Sequence, residues 1–212
     1  MPTSTEAEEN LRVIRSLMEK ATIYRALSAP GALVGGVLSV ATAGAGRWLS
    51  HPWFSVPSES WRFLIPWLFA LLLTAGINFV LLVRESKAGG QFWISPRMRA
   101  ALRAMQPAFL AGGFCLALTP EVGWVMLVSL WVMLYGVSLL AMGHFAPHSL
   151  RMLGWNFFSA GGALLILFGT VLDAGQGFRQ IFLAHCIMGA TFGLFHLVYA
   201  ACTWPRAERG EA

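Results

Sequence analysis

Two histidines, His185 and His196, lie eleven residues apart inside one long apolar stretch, Ile181–Thr203. At 100° per residue that spacing returns to within about 20° of the same helical face, about 16 Å along the axis. An ionisable side chain surrounded by apolar ones is costly, so each imidazole is a functional candidate. His144 closes the preceding apolar stretch but one, His148 comes just after it, and His51 precedes the second stretch. By depth, His196 pairs with His144 and His185 with His51. Imidazoles paired at two depths are what a two-haem electron carrier requires, and a single one can hold a haem or another tetrapyrrole. Neither pairing joins two mid-helix positions, however. The less demanding expectation is that His185 and His196 hydrogen-bond across helices to Ser, Thr or Asn. No cofactor is therefore predicted, with a tetrapyrrole on His185, His196 and His144 as the alternative.

Other polar residues within the apolar stretches are few. Thr74, Asn78, Asn156 and Ser159 could line a neutral cavity, with Asn78 and Asn156 facing each other near one end. Ser129, Ser138, Thr170 and Thr191 read as interhelical glue, worth ~0.6 kcal/mol each. Glu121 and Asp173 sit at helix ends, and no Asp, Glu, Lys or Arg lies deep in a stretch, which argues against ion-coupled transport. The cysteines, Cys115, Cys186 and Cys202, are odd in number and show neither CxxC nor zinc spacing. No phosphate loop, nucleophile elbow or HExxH motif is present, so no catalytic residue and no metal site is assigned.

The elements that position these residues are six stretches of about twenty apolar residues, the length that crosses the ~30 Å hydrocarbon core of a bilayer. They are Leu27–Gly46, Phe63–Val83, Pro107–Leu118 extended back to Leu102, Val122–Gly143, Trp155–Leu172 and Ile181–Thr203. Composition agrees: 57% of residues are hydrophobic, 12% are charged, and the mean hydropathy is +0.63. The expected fold is all-α and polytopic, with a membrane domain over residues 27–204 and a short tail over 205–212. The polar opening MPTSTEAEEN predicts that the first apolar helix is its own insertion signal.

Two amphipathic helices are expected beside the six. Over residues 1–26, Thr5-Glu6-Ala7-Glu8 has capping-box spacing, and Leu11, Ile14, Met18 and Ala21 recur at helical period. Between the second and third stretches, Ser95-Pro96 starts an interfacial helix that continues RMRAALRAM. Twelve of the fifteen Lys and Arg fall on one side of this topology and three on the other, which predicts both termini in the cytoplasm of a cytoplasmic-membrane protein. No basic face suited to nucleic acid exists.

A local pattern recurs before and within the odd-numbered stretches. Gly35-Gly36 and Gly112-Gly113 follow Pro30 and Pro107 by five residues, and Gly161-Gly162 follow Asn156 by five. Three helical hairpins, each packing a small-faced odd helix on a bulky even one, would produce it. Function is open to three readings. The first is a non-enzymatic membrane protein acting through partners, as accessory subunit, scaffold or sensor module, with residues 5–24 as the contact. The second is the tetrapyrrole protein. The third is a carrier for a small neutral molecule, with Asn78, Asn156, Thr74 and Ser159 on its path.

Overall fold

The computed structural model describes residues 9–10, 29–49, 59–88, 96–143, 147–175 and 177–204. Apart from residues 9–10, the expected N-terminal amphipathic helix lies outside these residues, as do His51, His144 and the tail 205–212. The described chain is helical. The helices are α1 (Ala29–Leu49), α2 (Glu59–Ala88), α3 (Pro96–Phe114), α4 (Thr119–Ala141), α5 (His148–Ile166), α6 (Phe178–Met188) and α7 (His196–Thr203). A 3₁₀ turn, Cys115–Leu118, joins α3 to α4. Wide π turns extend α5 through Leu167–Val171 and join α6 to α7 through Gly189–Phe195, so α6 and α7 form one rod. Among the described residues, six helical segments are long and apolar enough to cross a membrane, the last being Phe178–Thr203.

Apolar side chains cannot choose neighbours by hydrophobicity in hydrocarbon, so close backbone approach decides the packing. The rod Phe178–Thr203 and α4 sit at the centre: α1 packs on the rod and on α2, while α4 packs on α3, α5 and the rod. Glycines set these approaches. A Cβ on Gly36 would lie 2.8 Å from the Leu197 side chain, and one on Gly193 would lie 2.6 Å from Val40. On the α4–α5 seam, a Cβ on Gly136 would lie 2.7 Å from the Gly154 carbonyl oxygen and one on Gly161 2.6 Å from Met133 Cα. Each predicted glycine pair thus sends at least one member to an even-numbered stretch: Gly35 to Thr74, Gly36 to Leu197, Gly112 to Trp131 and Gly161 to Met133. Gly113 and Gly162 meet nothing within 4 Å.

α2 and α3 lie at the periphery, with Leu68, Phe69 and Leu72 exposed on the first and Phe109, Leu110 and Phe114 on the second. The core between them holds Phe63, Val125, Val128, Val132 and Phe157, all fully buried.

Three expectations are corrected. The interfacial helix at Ser95-Pro96 is not a separate element, because Pro96–Phe114 is one continuous helix with Pro107 inside it. Met98 and Ala101, three residues apart, are buried in the core while Arg99 and Arg103 are exposed, so the basic first turns belong to the bundle. The fifth stretch starts at His148 and not at Trp155, since helix geometry runs on through the polar residues His148, Ser149 and Arg151. The hydroxyls are not interhelical glue either. Ser129, Thr170 and Thr191 donate to the carbonyls of Val125, Ile166 and Ile187 four residues back, and Ser138 to Tyr135 three back. A hydroxyl on a helix reaches its own preceding turn without any help from a neighbour.

Candidate functional site: two histidines in aromatic cages

Among the described residues, three interhelical polar bonds are made by aromatic side chains. Trp131 Nε1 on α4 donates to the Gly112 carbonyl of α3 at 2.8 Å. The two histidines are held in the same way, one in each half of the rod.

His185, two turns into α6 and about 10 Å from its start, is 0% exposed. Trp67 on α2 donates its indole N–H to His185 Nδ1 at 3.0 Å. The Trp67 and Phe63 rings lie 6.0 Å and 4.9 Å from the imidazole, and Phe63 also packs on Trp124 of α4 at 4.8 Å. Behind the ring, α1 passes with Gly46, where a Cβ would come within 2.5 Å of His185 Cγ. α1, α2 and α6 therefore meet at this imidazole, with α4 behind the Phe63 ring. The α4 wall is itself fixed from the rod. Gly123 breaks α4 with φ 76°, a left-handed value that favours glycine, and the Trp124 N–H donates to Gln180 Oε1 at 3.3 Å.

An indole N–H can only donate, so His185 Nδ1 must offer its lone pair. The ring is then neutral with its proton on Nε2. That Nε2 is buried and has no hydrogen-bond partner among the described residues. Arg62, the residue before Phe63, likewise holds Nε buried without a partner among the described residues.

His196 opens α7. A carbonyl can only accept, so the 2.7 Å contact with the Phe192 oxygen places a proton on Nδ1. In the neutral ring Nε2 then accepts from the Tyr135 hydroxyl of α4 at 3.0 Å. Tyr135, Phe157 and Phe192 surround the imidazole, with ring centres 5.7, 5.4 and 6.3 Å from it. Both nitrogens of His196 are committed to protein partners.

The sequence predicts these two imidazoles on one face of a helix. The structure turns them to different neighbours: His185 faces α1 and α2, whereas His196 faces α4 and α5. The π segment Gly189–Phe195 between them is the reason. A π turn bonds each N–H five residues back instead of four, and one surplus residue rotates the remainder of the helix by about 100°. The same segment carries Thr191 and ends beside His196, whose side chains bond the carbonyls of Ile187 and Phe192.

The expected Ser, Thr or Asn partners of the histidines are replaced by Trp67, Tyr135 and a backbone carbonyl. Residue type and spacing give no role to a tryptophan or a tyrosine within a stretch. The signal that finds both is that indole and phenol groups within apolar helices need polar partners as much as imidazoles do.

The four cavity candidates are not brought together. Thr74 and Asn78 turn toward α1, against Gly35 and Gly31, while Asn156 and Ser159 are exposed on α5. Among the described residues no group of three His, Cys, Asp or Glu is placed to hold a metal, and the three cysteines are free.

A Tyr135→Phe variant tests the second cage. It strands His196 Nε2 without a donor in an apolar surround, a loss of about 1–3 kcal/mol. Ser138→Ala removes only an intrahelical bond and should cost a smaller amount. Thermal unfolding of both variants in the same detergent should rank them in that order. Comparison of the chain with protein-family models, with curated proteins and with solved structures yields no match.

Proposed function

We propose that this chain is an integral protein of the cytoplasmic membrane, with both termini inside, that works through partners as a sensor module and transforms no substrate. The observation that carries this reading is the His185 cage. Its walls are Phe63, Trp67 and Gly46, with Trp124 behind Phe63, groups that pack and hydrogen-bond but supply no nucleophile or general base. Such a site suits recognition better than reaction. α1, α2 and α6 converge there, and Phe63 carries the contact on to Trp124 of α4, so occupancy at one imidazole bears on all four helices. The cytoplasmic contact is the amphipathic segment 5–24, by its sequence pattern.

Orientation rests on the Lys and Arg asymmetry. A single cysteine placed at Thr3, in a background with Cys115, Cys186 and Cys202 changed to Ala, should resist an impermeant maleimide in intact cells. It should be labelled after lysis, and labelling before lysis would reverse the topology. Deleting residues 1–24 should abolish partner crosslinks while the protein stays in the carbonate-washed membrane pellet. Unchanged crosslinks would remove the segment from the proposal.

The tetrapyrrole reading has less support. Ligation through His185 Nε2 would require the proton to leave that atom and Trp67 to lose its acceptor, and His196 offers no free lone pair. The carrier reading loses its common cavity with the separation of Asn78 from Asn156.

A further inference from the structure

The geometry points to a ligand for the His185 cage: we infer that His185 Nε2–H binds a carbonyl oxygen of a membrane-soluble amphiphile entering beside α2. This inference rests on the sensor reading and names what is sensed.

The polarity of the site excludes one class of ligand at once. With Nδ1 accepting from Trp67, Nε2 carries hydrogen and has no lone pair for a metal. The missing partner is an acceptor. A buried N–H left alone is destabilising, and this one has no hydrogen-bonding oxygen among the described residues. The cage is aromatic and uncharged at the imidazole, which favours a neutral carbonyl over a free anion. Arg62, the neighbour of Phe63 on α2, also holds a buried Nε without a partner among the described residues.

Access is set by α2. That helix packs chiefly on α1, and on the turns that carry Phe63 and Trp67 its outer residues Trp61, Ile65 and Leu68 are exposed. The hydrocarbon side of the cage is thus one helix thick. Two kinds of amphiphile carry the required chemistry, a quinone with ring carbonyls and a phospholipid with ester carbonyls.

The test uses two substitutions that separate the ring's two nitrogens. His185→Asn keeps an acceptor for Trp67 at the δ position and removes the ε donor. His185→Gln keeps a donor at the ε position and removes the δ acceptor. Full-length protein in detergent is titrated with decylubiquinone and, separately, with short-chain phosphatidylglycerol, and binding is read by tryptophan quenching and melting temperature. Binding should follow the ε donor, with His185→Gln within about threefold of wild type and His185→Asn weakened tenfold or more. Probe-free stability should follow the δ acceptor, with the Asn variant close to wild type and the Gln variant lower. The probe that shows this crossed pattern identifies the source of the carbonyl.

Binding and stability falling together in both variants, or equal binding by wild type and His185→Asn for both probes, would overturn the inference. So would a wild-type protein that binds neither probe. Any of these results leaves the partner crosslinks through residues 5–24 standing, whereas loss of those crosslinks sinks the sensor reading independently.

Discussion

Gly161→Ala and Gly162→Ala, neighbours on α5, should shift stability in opposite directions. Both replace glycine by the best helix former, worth about 1 kcal/mol in a helix interior. At Gly162 nothing lies within 4 Å, so the gain is kept. At Gly161 the new methyl would meet the backbone of Met133, 2.6 Å from its Cα and 2.7 Å from its Cβ. A backbone atom cannot swing aside as a side chain can, so α4 and α5 must separate along the seam that also holds Gly136 and Gly154. Overpacking of this kind costs about 1–3 kcal/mol, occasionally more. Melting temperature in one detergent should rise for Gly162→Ala and fall for Gly161→Ala. Gly161→Leu should yield no monodisperse protein. Equal behaviour of the two alanine variants would show that α4 and α5 do not approach as described.

Phe157→Ala should be the most damaging truncation of a single core side chain. Phe157 is fully buried, and its ring centre lies 4.7 Å from Tyr135, 5.1 Å from Phe192, 5.1 Å from Phe195 and 5.4 Å from His196. Removing it opens a cavity in the middle of the second cage, a loss of about 3–5 kcal/mol. It also frees Tyr135 and His196 to part, so Tyr135→Phe should cost less in the Phe157→Ala background than in wild type. A double-mutant cycle read by chemical unfolding measures that coupling. Strict additivity would mean the phenol–imidazole bond does not depend on the ring beneath it.

The number of membrane-length helices is legible in the sequence because it depends on composition alone. Boundaries are less so. α2 begins at Glu59 and ends at Ala88, well beyond Phe63–Val83, since a helix does not stop where hydrocarbon does. His148, Ser149 and Arg151 read as loop for the same reason. The glycine pairs point to close approaches, yet spacing cannot say that Gly161 meets Met133 while Gly162 meets nothing. That choice depends on how each helix is rotated, which no periodicity in a nearly all-apolar helix records.

The histidines are legible as candidates and illegible as a site. Their depth comes from counting residues. Their partners do not, because Trp67 and Tyr135 lie 118 and 61 residues away in the chain. Their facing fails through one assumption, a uniform 100° per residue, which Gly189–Phe195 breaks. The misassigned hydroxyls of Ser129 and Thr191 are a local version of the same difficulty. A side chain that can bond its own helix gives no sequence sign of doing so.

The wide turn at Gly189–Phe195 also makes the rod a jointed shaft. Losing or gaining a residue within it would re-aim Tyr135's partner and everything beyond while leaving the Trp67 contact where it stands. The two imidazole layers are therefore free to diverge independently, one in how it packs against α1 and α2 and the other in how rigidly the far end is locked.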